Sequence, residues 1–206
     1  FHIKKGAVFN VVHCTTCFNK DIDNHDALWI NQYVPSTLQW EQRGVTIEQD
    51  GEFPQSSSTT FTVKTTQKQH FALNLLIPSW AEKASISING KKKSVKVTGK
   101  ARYHTISRKW KDSDKVQLHL QGGFKIHHLQ GDCQTIAISY GPMLLAFIEN
   151  DKIELQLTEH QLLNNLQATD ASKGIFTLNH NGKQYTLRPL FDVDDETYSV
   201  YIQLKP

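Results

Sequence analysis

Cys14 and Cys17 bracket two threonines in the run Cys14-Thr15-Thr16-Cys17, a spacing able to bind zinc or run thiol–disulfide chemistry. A zinc site ordinarily needs two more ligands, and the only other cysteine is the distant Cys133. A redox C-x-x-C belongs between a strand and a helix in a βαβ unit, and no such pattern surrounds this one. Structural or incidental cysteines are therefore the favoured reading, with a disulfide and a metal site as the alternatives.

Asp192, Asp194, Asp195 and Glu196 are the nearest approach to the paired carboxylates that sugar hydrolysis requires. Their place between two predicted strands favours a solvated turn. Asp21 to Asp26 alternates acids as a calcium loop does, but lacks its glycine and terminal glutamate, so turn chemistry fits better. Ten histidines are many for this length. His127 and His128 are neighbours in a predicted strand, so their rings point to opposite faces and do not share a metal easily. No G-x-S-x-G elbow is present for a serine nucleophile. Of the tryptophans, Trp29, Trp40, Trp80 and Trp110, each is read first as core. Trp110 has Arg108, Lys109 and Lys111 around it and is the candidate for an exposed face that stacks on a sugar ring.

The elements that would position these groups are strands. Strands are read over 27–34, 37–40, 45–49, 58–66, 70–77, 84–88, 94–97, 102–107, 115–120, 124–129, 135–148 (interrupted by Gly141-Pro142), 175–178, 184–187 and 198–204, several of them with apolar and polar residues in alternation. Asn89-Gly90 and Asn181-Gly182 accept positive φ at both turn positions and predict hairpins. Residues 159–167 form the one predicted short helix. Residues 7–12 are read as one strand inside an irregular N-terminal segment, 1–19. The expectation is an all-β chain: an antiparallel β-sandwich over 20–149, followed by a second, smaller β unit over 150–206, with the break placed where composition shifts near Glu149.

With 206 residues, 38% of them hydrophobic, the chain can bury a core without staples. A net charge of +3 with scattered cations argues against nucleic acid. Lys91-Lys92-Lys93 reads as a solvated hairpin tip rather than a phosphate patch. No stretch reaches the ~18 apolar residues of a membrane span. The chain starts at Phe1 and is read as a processed chain or part of something longer.

Several segments, in order, resemble one family. They are residues 26–40 (DALWINQYVPSTLQW), 44–49, Pro78-Ser79-Trp80-Ala81 with Ile88-Asn89-Gly90-Lys91, and Trp110-Lys111-Asp112-Ser113-Asp114, which is similar to a W-x-x-G-D turn with serine at the glycine position. Tyr140-Gly141-Pro142 with the apolar run after it, Leu187 to Asp192, and Tyr198 to Tyr201 continue the series. Together, over about residues 18–204, they resemble the β-sandwich region that follows the catalytic barrel in the glycoside hydrolase family 127 superfamily, best known for β-L-arabinofuranosidase activity.

The resemblance implies a non-catalytic region that packs on a helical (α/α)6 barrel, which carries the zinc-bound cysteine nucleophile and glutamates. It implies no catalytic residue, metal or cofactor in this chain, and a periplasmic or extracellular location. The nucleophile and ligand roles do not carry over to Cys14 or Cys17, whose neighbours depart from the family pattern. Binding of a plant-glycan oligosaccharide, through Trp110, and a protein-docking module are the alternative functions.

Overall fold

Strict alternation decides which face each strand buries. Val45, Ile47 and Gln49 are buried in one strand, Thr59, Phe61 and Val63 in the next, and Phe71, Leu73, Leu75 and Ile77 in a third. The computed structural model describes residues 8–9, 27–170 and 173–205. Cys14, Cys17, the N-terminal segment 1–19 apart from residues 8–9, and the acidic run 21–26 lie outside the described residues. The chain divides into two units, Phe1–Gln121 and Gly122–Pro206.

In the first unit the strands are β1 (Val8–Phe9), β2 (Ala27–Ile30), β3 (Ser36–Trp40), β4 (Val45–Asp50), β5 (Ser58–Thr65), β6 (Gln69–Ile77), β7 (Ala81–Ile88), β8 (Lys91–Val95), β9 (Arg102–Trp110) and β10 (Asp114–Gly122). One sheet runs β1-β3-β4-β5-β10-β7-β8, and a second runs β2-β6-β9. Pairing is antiparallel in the main; β1–β3 and β2–β6 are parallel. Residues from both sheets share one core, rich in aromatics, with Phe61, Phe71 and Trp110 fully buried. Each such side chain contributes roughly 1.5–3 kcal/mol by leaving water. Asn89 and Gly90 have φ of 49° and 84°, the left-handed pair that closes the β7–β8 hairpin in two residues.

In the second unit the strands are β11 (Phe124–Leu129), β12 (Asp132–Tyr140), β13 (Met143–Ile148), β14 (Glu154–Leu155), β15 (Leu166–Asp170), β16 (Ile175–His180), β17 (Lys183–Pro189), β18 (Tyr198–Ser199) and β19 (Ile202–Leu204), with helix α1 (Glu159–Asn165) before β15. They make one sheet along β14-β19-β12-β13-β17-β16-β15, with β11 joined to β12 and β18 to β13. Its inward face packs Ile136, Ile138, Leu145, Phe147, Phe176 and Leu187 into a separate core, onto which Leu162 of α1 is buried. Thr158 caps α1 through a capping box. The Gln161 N–H donates to Thr158 Oγ1 at 3.3 Å, and the Thr158 N–H donates to Gln161 Oε1 at 2.9 Å.

The division therefore falls at Gln121–Gly122, ahead of the 149/150 boundary expected from composition. β11, β12 and β13 hydrogen-bond into the same sheet as β17 and β19, and their inward residues share its core. The composition shift at Glu149 marks a loop inside that sheet.

Candidate functional site

Trp110 does not present a sugar platform. It ends β9 in phase with the buried Ile106 and is 0% exposed. Its indole N–H donates to the Phe71 carbonyl at 2.9 Å, and its ring stacks on Phe71 with centroids 5.4 Å apart. The Arg108 guanidinium lies 5.2 Å from the ring centroid. Arg108, one of the basic neighbours that suggested exposure, instead lies over the indole.

The residues after Trp110 form a clasp. Asp114 is buried, and its carboxylate accepts from Asn89 Nδ2 at 2.7 Å and from the Lys111 N–H at 2.9 Å, with Arg108 at 3.5 Å. Asn89 Oδ1 in turn accepts from the Lys115 N–H at 2.8 Å. Burial alone would raise the Asp114 carboxyl; these donors and the nearby cations overcome it and hold the group below the usual carboxylate range. The N-G hairpin and the W-x-x-S-D turn thus lock each other across 25 residues of sequence.

Two members of the acidic run 192–196, Asp192 and Glu196, clamp one cation. Arg188 donates to the Asp192 carboxylate at 3.1 Å and its carbonyl at 2.5 Å, and to Glu196. Glu196 sits below its ordinary range, first through backbone N–H donors and then through Arg188.

The second unit also holds a cleft of about 440 Å³ lined by His128, Cys133, Gln134, Thr158, Glu159 and His160 above Leu157 and Leu204. His128 Nδ1 donates to the Cys133 carbonyl at 2.9 Å, and Nε2 lies 3.2 Å from Glu159 Oε1. Both ring nitrogens are engaged, so His128 braces the β11–β12 hairpin against the start of α1. Its neighbour His127 makes a different contact, with Ser139 Oγ at 2.8 Å. Cys133 is a free, exposed thiol. Among the described residues no group of three or more His, Cys, Asp and Glu is placed to hold a metal ion, and no helix is long and apolar enough to cross a membrane.

A mostly antiparallel β-sandwich, followed along the chain by a second β unit, defines the class: an all-β chain. Residues 27–122 match the family described as Beta-L-arabinofuranosidase, GH127 middle domain. That match ends where the first unit ends. Solved structures share the fold. One described as a glycoside hydrolase has a TM-score of 0.63 at 16% identity, over 86% of this chain and 36% of its own. A GH127 β-L-arabinofuranosidase from Geobacillus stearothermophilus T6 has a TM-score of 0.58 at 18% identity, over 87% and 34%. A GH127 β-arabinofuranosidase has 0.60 at 18%, over 88% and 36%. A search of curated proteins by sequence gave no match. The chain carries a GH127-like, glycoside hydrolase-related β region and spans about a third of the length of the structures it matches.

Proposed function

We propose that this chain is the non-catalytic β-sandwich region of a GH127-like glycoside hydrolase acting on arabinofuranoside-type plant glycans in the periplasm or outside the cell. One observation carries the reading: the family match, residues 27–122, falls almost wholly within the first structural unit and ends at its boundary, and the motif residues Asn89, Trp110 and Asp114 are engaged in packing and hydrogen bonds. The partner in this reading is a helical-barrel catalytic domain, and the chain itself needs no cofactor. The test is turnover of an aryl arabinofuranoside by the purified chain. No hydrolysis is expected. Hydrolysis abolished by Cys17→Ser would overturn the reading and put the nucleophile in this chain.

A second reading, glycan binding by the chain itself, now rests on other aromatics. Phe191, Tyr198 and Tyr201 are 53%, 47% and 57% exposed. Asp192 and Glu196, close to two of them in sequence, grip the same Arg188. An affinity-gel screen on arabinan decides it: retention lost in Tyr198→Ala supports binding, and free passage of the unmodified chain excludes it.

A further inference from the structure

We propose that the open edge of the first unit's sandwich is an oxyanion site, in which Lys93, Arg102 and His104 receive a carboxylate or phosphate group. β8 and β9 are the edge strands of the two sheets, joined by residues 96–101. Lys93 pairs with Ile86, and Arg102 and His104 pair with Ile77 and Leu75. Those three partners are buried in the core. Paired residues in a sheet project to the same side, so three basic side chains occupy core-facing positions where the two sheets part. None of the three is ion-paired among the described residues, and Arg102 Nε is shut off from solvent with no hydrogen-bond partner.

Lysines on an edge strand also guard against strand addition, and Lys91 and Lys92 meet that need on the same strand. Edge protection does not require a shielded guanidinium N–H left without an acceptor, which carries a penalty in any folded chain. An oxyanion supplies the acceptor and the missing negative charge together. Burial, then the charges of Lys93 and Arg102, push the His104 imidazole below its ordinary value. The proposal stands on this cluster alone and does not depend on the glycoside hydrolase reading.

The experiment is an NMR titration of the whole chain with inorganic phosphate, with trigalacturonic acid and with neutral arabinotriose. Both anions are expected to give saturable shifts at Arg102 and to raise the His104 titration midpoint, while arabinotriose does neither. Tighter binding of trigalacturonate identifies the source as an acidic saccharide; equal binding identifies a small free anion. Arg102→Gln should weaken binding about tenfold. Lys93→Gln, at an exposed position that leaves the fold intact, should weaken it less and raise the His104 midpoint without any anion. No saturable shift with either anion, or unchanged affinity in both variants, overturns the proposal.

Discussion

The two units solve the same problem with different materials. The first buries polar groups inside an aromatic core: Gln49, Thr59, Asn74 and Asp114 are all buried, each hydrogen-bonded to another segment of the unit. The second packs a largely aliphatic core in which Thr177 is the buried polar residue, and it leaves its chemistry outside. Among the described residues, five of the six exposed large hydrophobics (Leu129, Leu144, Phe191, Tyr198 and Tyr201) belong to it. A buried hydrogen-bonded network fixes one arrangement because each unmet partner is costly. The motif residues of the first unit therefore record how the fold is held, and a resemblance built on them is a resemblance of scaffold.

That contrast can be broken most directly at the tryptophan. Trp110→Ala removes a fully buried indole, its stack on Phe71 and the hydrogen bond to the Phe71 carbonyl. A loss of about 3–5 kcal/mol is expected in urea unfolding. Tyr201→Ala in the second unit should change stability by less than about 0.5 kcal/mol. Comparable losses at the two positions would erase the distinction. Asp114→Ala comes next. It strands the Asn89 amide and the Lys111 N–H, for a loss of about 2–3 kcal/mol, whereas Asp192→Ala, at an exposed clamp, should fall within about 1 kcal/mol.

Local pattern made most strands of both units readable in advance. Alternation and the two Asn-Gly turns are short-range signals, and they placed the hairpins at 89–90 and 181–182. The core reading given first to every tryptophan holds for Trp110, and only its choice as the candidate for exposure fails: its charged neighbours suggested an outward face, but Ile106, Arg108 and Trp110 share one face of β9 and Ile106 is buried. The lysines at 91–93 were assigned to a turn tip, yet a two-residue Asn89-Gly90 turn already commits them to the returning strand, paired with Ile88, Ser87 and Ile86. The Asp114–Asn89 clasp and the His128–Glu159 brace join residues 25 and 31 positions apart. No local pattern predicts such pairs, because only sheet order brings them together. The unit boundary was missed for the same reason: β12 and β19 are sequence-distant partners, and composition does not report pairing.

Ser113 offers a smaller test with the opposite sign. It holds φ of 64° in the turn between β9 and β10, where the resembled motif carries glycine. A left-handed serine costs about 1–2 kcal/mol, and glycine returns part of that as chain entropy. Ser113→Gly also gives up the hydroxyl's hydrogen bond to Asp112 Oδ2 at 3.0 Å. A net gain of about 0.5 kcal/mol is expected by thermal unfolding. A loss would mean that the Ser113–Asp112 bond outweighs the backbone strain, and that the clasp is tuned by side chains beyond Asp114 and Asn89.

The smallest effect lies at the rim of the second unit, in its response to acid. Lys205 and Lys152 both bond the Glu154 carboxylate, at 2.6 and 2.9 Å, and hold it down to about 2 from an ordinary 4.5. A carboxyl depressed by folding favours the folded state above its unfolded value, and that contribution is lost as pH falls through the folded one. The loss attributable to Glu154 therefore runs from about pH 4.5 down to about pH 2. It is modest, because the carboxylate is exposed and solvent and salt screen the pair. Glu154→Gln should flatten the stability-against-pH curve in that window and lower stability at neutral pH by the same small amount, the two chains converging near pH 2. Asp114→Asn tests the other side of the comparison, since its carboxylate is also depressed but by buried donors. Its acid response should persist in high salt, while that of Glu154 should fade.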